Sequence, residues 1–192
     1  MRASPMRYIA IVLSLGLLFA GEVRAELVID ISGVPGSGTT LWEFSGSATS
    51  TSAGNFVSGE ISGSSVWGDI GDPFTPDINL LREATSTGAS ITTASGTRDI
   101  DRIYVDWDAS SNDDDFGIGV AGTTHLLFGA AETVSWTGSF SHSIDVQDLV
   151  EGSYSSNEYF GLDLTLNITH IPEPASLLLF GSFMATGFRR RR

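Results

Sequence analysis

Cysteine and lysine are both absent from this 192-residue chain, and histidine occurs only three times. Without cysteine there is no thiol nucleophile, no thiolate metal site and no disulfide, so a packed core has to hold the fold. Basic residues are scarce as well. Between Glu26 and Ile171 there are only Arg82, Arg98 and Arg102, against 21 aspartates and glutamates, a formal charge near −18. A surface of that sign repels a phosphate backbone, which argues against nucleic acid as a partner. It favours solubility and attracts cations.

Other signatures are missing too. There is no Gly-x-Ser-x-Gly elbow for a serine hydrolase. His125, His142 and His170 are dispersed and make no His-x-x-x-His or His-Glu-x-x-His pattern, so they read as strand or surface residues. Carboxylate pairs suited to glycoside hydrolysis are abundant, and spacing singles out none of them. No apolar run reaches the ~20 residues that cross a bilayer as a helix.

Two shorter apolar runs mark the ends of the chain. Arg2 and Arg7 precede an apolar stretch from Tyr8 to Ala20, and Val23-Arg24-Ala25 places small residues where a signal peptidase reads. Residues 1–25 therefore read as a signal peptide, cut between Ala25 and Glu26, with signal peptidase and the general export machinery as partners. An uncut membrane anchor is the alternative.

The body, 26–171, is rich in serine, threonine and glycine, 56 of its 146 residues. That composition leaves disorder open for Ser45 to Ser65. Elsewhere apolar residues alternate with a period of two, the mark of half-buried strands. In "FGLDLTLNIT" the alternating set is Phe160, Leu162, Leu164, Leu166 and Ile168. "FGIGV", "IYVDWD", "VSWTGSFS", "ELVIDIS" and "LWEFSGS" repeat the pattern. Helix signals are confined to Asp77–Ala84, capped by Asp77, and Asp145–Gly152, ended by its glycine. The expected fold is all-β: an antiparallel, jelly-roll-like sandwich, with a closed barrel as the alternative.

Three internal stretches bear on chemistry. "GVPGSGTT", Gly33 to Thr40, has the glycines of a phosphate loop but no lysine, and reads as a turn between strands. "DWDASSNDDDF" crowds hard oxygen ligands. Asp106 and Asp108 share a strand face, and Asn112, Asp113, Asp114 and Asp115 follow. Asp106, Asp108, Asn112, Asp113 and Asp115 form a candidate Ca²⁺ set; the alternative is a solvated acidic hairpin. Trp107 and Trp136 fall on apolar strand faces, which points to core. Trp42 and Trp67 are open to a sugar-stacking role.

The last 21 residues, 172–192, have a different character. Pro172 and Pro174 flank Glu173 and stop both helix and sheet, leaving a stiff peptide. Ala175 to Phe188 then runs 14 residues without a charge. As a helix this would be about 21 Å long, against a hydrocarbon core of about 30 Å. Arg189, Arg190, Arg191 and Arg192 close the chain as a cytoplasmic stop, which leaves the body outside.

This tail resembles the PEP-CTERM sorting signal of Gram-negative bacteria. Pro172, Glu173 and Pro174 match its motif, Ala175–Phe188 its membrane helix, and Arg189–Arg192 its basic stop. The resemblance implies processing by exosortase, a membrane enzyme. It also implies an inner-membrane intermediate, then delivery to the cell surface or extracellular matrix in bacteria that make exopolysaccharide or biofilm. The body is then expected to be structural or adhesive, with exopolysaccharide as a candidate partner. A carbohydrate-binding module and a secreted hydrolase are the alternatives. No catalytic residue and no cofactor beyond Ca²⁺ is indicated. N-terminal sequencing of surface material checks the leader: a start at Glu26 is expected, and an intact Met1 end contradicts cleavage.

Overall fold

The computed structural model describes residues 25–59, 66–75, 80–83, 88–106 and 114–173. Among the described residues twelve strands follow one another: β1 Leu27–Gly33, β2 Thr40–Thr49, β3 Gly54–Phe56, β4 Val66–Trp67, β5 Leu80–Glu83 and β6 Gly88–Thr93, then β7 Gly96–Asp106, β8 Asp115–Val120, β9 Leu126–Phe128, β10 Thr133–His142, β11 Gly152–Ser156 and β12 Leu164–His170. The all-β expectation holds. The alternating residues Leu27, Ile29, Ile31, Leu164, Leu166 and Ile168 all lie inside, because one face of each strand meets the core.

Ten strands form one sheet in the order β11-β12-β1-β2-β10-β6-β7-β8-β4, with β5 added to β7. β7 is long enough to pair with β6 through Gly96–Asp99 and with β5 through Arg102–Val105. The sheet is mixed rather than purely antiparallel, since β1 and β12 run parallel from Leu27↔Leu164 to Gly33↔His170. Parallel neighbours need a crossover. Here the first and last strands of the sheet are joined by the whole intervening body.

The sheet rolls until its edges meet, and the result is nearly a barrel. Phe74, after β4, bridges to Leu149, before β11. Val150 N donates to Pro73 O at 2.8 Å, and Ser156 Oγ to Gly68 O at 2.7 Å. Opposite walls touch through the core. Trp42 of β2 stacks across the core on Phe116 of β8, at 6.1 Å, and beside its cross-strand neighbour Phe140 of β10, at 6.3 Å. Trp67 packs on Tyr159 at 4.8 Å and donates its indole N–H to Leu162 O at 2.9 Å. The small β3–β9 sheet lies over one end and adds Phe56 and Phe128 to this aromatic cluster. Burying each of these rings is worth about 2–3 kcal/mol. A cysteine-free body relies on that term.

Both helix expectations are corrected. Leu80–Glu83, inside the expected Asp77–Ala84 helix, is strand β5, because pairing with β7 satisfies its backbone and overrides weak local propensity. Asp145–Gly152 yields only a 3₁₀ turn, Val146–Asp148. Asp145 caps it, Leu149 is already extended, and Gly152 opens β11. Ser45–Thr49, left open to disorder, is ordered strand in β2, while residues 60–65 lie outside the described set.

Close strand approach depends on two glycines. Gly138 in β10 has φ 106°, and a Cβ there would lie 1.8 Å from Gly88 O. Gly46 has φ 96°, and its Cβ would meet Glu26 O at 2.2 Å. Gly138→Ala is expected to cost about 3 kcal/mol, because a backbone atom cannot move aside cheaply. Gly36→Ala, also at positive φ but in open space, is expected to cost only about 1–2 kcal/mol. Urea denaturation of the two variants checks the ordering.

Candidate functional site

The parallel β1–β12 pair fixes where the chain enters and leaves. Glu26 precedes β1 at one end of the rolled sheet, and Ile171 follows β12 at the other. Six residue steps at about 3.3 Å separate the two ends by about 20 Å. Each end carries a different arrangement of polar groups.

The exit end is built around the glycine loop. β12 stops at His170, and Ile171 N donates to Gly33 O at 2.7 Å, which extends the pairing by one residue. The loop that follows Gly33 does not receive an external anion. Gly36 N donates to Asp145 Oδ1 at 2.9 Å and Gly38 N to Asp145 Oδ2 at 2.7 Å, while Gln147 N also donates to Oδ1 at 3.0 Å. A carboxylate of the chain itself occupies the cradle. These bonds, led by the one from Gln147, hold the Asp145 carboxyl below its ordinary value, and nearby His170 adds to the effect. His170 in turn donates from Nε2 to Leu149 O at 3.1 Å. The glycine pattern was legible as a turn; its partner, over 100 residues away, was not.

The motif residues emerge directly from this junction. Ile171, Pro172 and Glu173 are exposed, whereas Pro174, Ala175–Phe188 and Arg189–Arg192 lie outside the described residues. Among the described residues no helix is long and apolar enough to cross a membrane. At the entry end, Ala25 is exposed and Glu26 half-buried, and the expected signal peptide before them lies outside the described residues.

The entry end carries two clefts. One, of about 320 Å³, is lined by Glu26, Ser155, Ser156, Asn157, Asp163 and Thr165. The other, of about 650 Å³, is lined by Thr51, Ser52, Asn55, Glu158, Tyr159, Phe160 and Gly161. Phe160 has φ 54°, a left-handed conformation that bulky residues avoid. Thr51 holds it there through two bonds to Phe160 O, from N at 2.8 Å and from Oγ1 at 2.9 Å. The ring stands edge-on to Tyr159 at 4.8 Å and to Phe128 at 5.6 Å. The Tyr159 hydroxyl donates to Asn55 O. The alternation in the sequence starts a strand at Phe160; in the structure the strand begins later, at Leu164, and Phe160 sits in the turn before it.

The candidate Ca²⁺ residues are only partly placed. Asp106 and Asp115 are register partners at the end of the β7–β8 hairpin. Asp108, Asn112 and Asp113 lie outside the described residues, and among the described residues no three metal-ligating side chains converge. Asp114, beside them, is buried and has an internal task. Its Oδ2 accepts Phe74 N at 2.8 Å, and its backbone exchanges bonds with Ile70 and Gly71. It thereby pins the segment that closes the barrel. Asp115 Oδ1 and Glu158 Oε2 both approach Gly68, where a Cβ would lie 3.3 Å and 2.8 Å from them.

The tryptophans are core. Trp42 and Trp67 are fully buried and Trp136 nearly so, with its indole N–H shared between Val28 O and Ser45 O. None of the three offers a face to a sugar; Trp107 lies outside the described residues. His142 is buried against Trp42 and Phe140, and the exposed His125 accepts Ser58 N at 3.1 Å.

The last strand of the all-β body runs straight into an exposed Pro-Glu segment. Residues 170–192 match the PEP-CTERM protein-sorting motif. The motif supports an exported protein sorted through exosortase. No curated protein and no solved structure matches the chain.

The Asp145 cradle makes a pH prediction. Its folded-state pKa is depressed, so its contribution is present above its ordinary value of 3.8 and is lost as pH falls through the lower folded value. Asp145→Ala is expected to be less stable than wild type at pH 7. The difference should shrink as pH falls below 3.8, and thermal melts across pH 2.5–7 check this.

Proposed function

We propose that this protein is a structural or adhesive component of the cell surface or extracellular matrix, displayed by way of its sorting tail. The matched tail is the observation that carries the reading. The fold supports it, because the two clefts lie at the end remote from the tail and so face outward while the tail is held. Signal peptidase acts first, at Ala25–Glu26. Exosortase then acts at or near Pro172–Pro174 during a transient stay in the inner membrane.

The tail variants test this. The uncharged run falls about 9 Å short of a hydrocarbon core, so the arginines have to resist passage through it. Each arginine costs a few kcal/mol at the bilayer centre. Replacing Arg189–Arg192 with serine is expected to release unprocessed protein that still carries Phe188. Replacing Pro172, Glu173 and Pro174 with alanine is expected to leave full-length protein in the membrane fraction. Fractionation with mass spectrometry separates the two outcomes; wild-type trimming of both variants would falsify the sorting role.

The second reading is carbohydrate binding, and the held Phe160 favours it. A bulky residue kept at positive φ costs about 1–3 kcal/mol, and such strain gathers at sites of function. An aromatic ring beside Glu158, Asn55 and Ser52 suits a sugar with one apolar face and several hydroxyls. On this reading Phe160→Ala lowers retention on the host's exopolysaccharide at least about tenfold, the loss expected of one stacking contact of roughly 1.4 kcal/mol or more. Equal retention of the variant and wild type removes it.

A further inference from the structure

Among the described residues four large apolar side chains are exposed: Leu41, Leu127, Val150 and Ile171. Three of them belong to the exit end. Leu41 faces Ser32 one residue before the Gly33↔His170 pair, Val150 follows the Leu149 carbonyl held by His170, and Ile171 is the first residue beyond β12. Leu127 sits at the opposite end, paired with Asn55.

The tether between this end and the uncharged run is short. Only Pro172, Glu173 and Pro174 separate Ile171 from Ala175. Three residues span about 10 Å at full extension, and the two prolines prevent coiling. The tether cannot lengthen cheaply by peeling, because β12 is held on both sides, by β1 and by β11. Wherever Ala175 enters a bilayer, Ile171 is brought within about one extended tripeptide of it, and the sheet end that also carries Leu41 and Val150 comes with it.

We propose that this end of the rolled sheet seats on the lipid surface during the membrane-held stage, with Leu41, Val150 and Ile171 in the interface. The seat keeps the barrel upright and the clefts some 20 Å further out. It rests on the reading of 175–188 as a bilayer segment. Asp148 and Glu151 flank Val150 in the chain and Glu173 follows Ile171 by two residues, so the surface it fits is a zwitterionic one, and anionic lipid weakens the contact.

The absence of cysteine makes the test clean. Single variants Leu41→Cys, Val150→Cys and Leu127→Cys of the full chain are labelled with an environment-sensitive fluorophore. Each is then reconstituted in phosphatidylcholine–phosphatidylethanolamine vesicles carrying a headgroup nitroxide quencher. Flotation with the vesicles reports insertion of the tail independently of the labels. The labels at positions 41 and 150 are expected to be quenched at least about twofold more than the label at 127, as apolar side chains 5–10 Å into the interface should be. Adding phosphatidylglycerol at low salt should narrow that gap. Flotation with equal quenching at all three positions overturns the seat and leaves the tail reading intact. Failure to float overturns the tail reading, and the seat with it. Protection seen only in native membranes, and not in pure lipid, assigns the patch to a protein partner and overturns the lipid seat.

Discussion

The pairing of the first strand with the last, in parallel, is the constraint on which the rest of the arrangement depends. An antiparallel closure would have returned the tail to the end where the chain began. The parallel ladder from Leu27↔Leu164 to Gly33↔His170 sends it out of the other. Residues before β1 and residues after β12 therefore attach at opposite ends of the sheet. The clefts around Glu26 and Phe160 fall at the end from which the tail does not emerge. The closed core follows from the same ladder, since β12 between β1 and β11 carries the sheet round to where Pro73–Thr75 meets Asp148–Val150.

A body with so many carboxylates and only three arginines cannot satisfy its acids by ion pairs. Arg102 pairs with its neighbour Asp101 at 3.6 Å, a part-exposed contact of small worth. The carboxylates that matter bind backbone N–H groups instead. Asp145 holds the glycine loop, Asp114 holds Phe74, and Glu132 accepts from Gly129 and Ala94, which keeps its carboxyl below the ordinary range. Each ties together segments that are distant in sequence or lie at strand ends. The acidity of the chain thus serves the fold as well as the surface. Low pH should loosen loop closures before it disturbs the apolar interior.

The tail junction joins these themes. The strand that completes the sheet ends one residue before the exposed Ile171, with no spacer between folded body and motif. At this junction Ile171 is still bonded to Gly33, and Pro172 and Glu173 are exposed. The Asp145 cradle and the His170–Leu149 contact stiffen the surface from which it springs.

Local pattern in the sequence determined a good deal. Period-two alternation marked Leu27–Ile31, Trp42–Phe44, Ile103–Val105 and Leu164–Ile168 as half-buried strands, because the pleat alone dictates it. The prolines, the uncharged run and the arginines marked the tail, because their chemistry acts without a fold. What pairs with what was decided only in three dimensions. Leu80–Glu83 looked helical until β7 offered its edge. Trp42 and Trp67 were indistinguishable from surface aromatics until opposing walls enclosed them. Asp114 was one acid in a run of three until Phe74 N reached it. Pairing and enclosure join residues far apart in the chain, and a period or a motif records only what neighbours do; that is why the address could be read from the sequence and the two ends of the barrel could not.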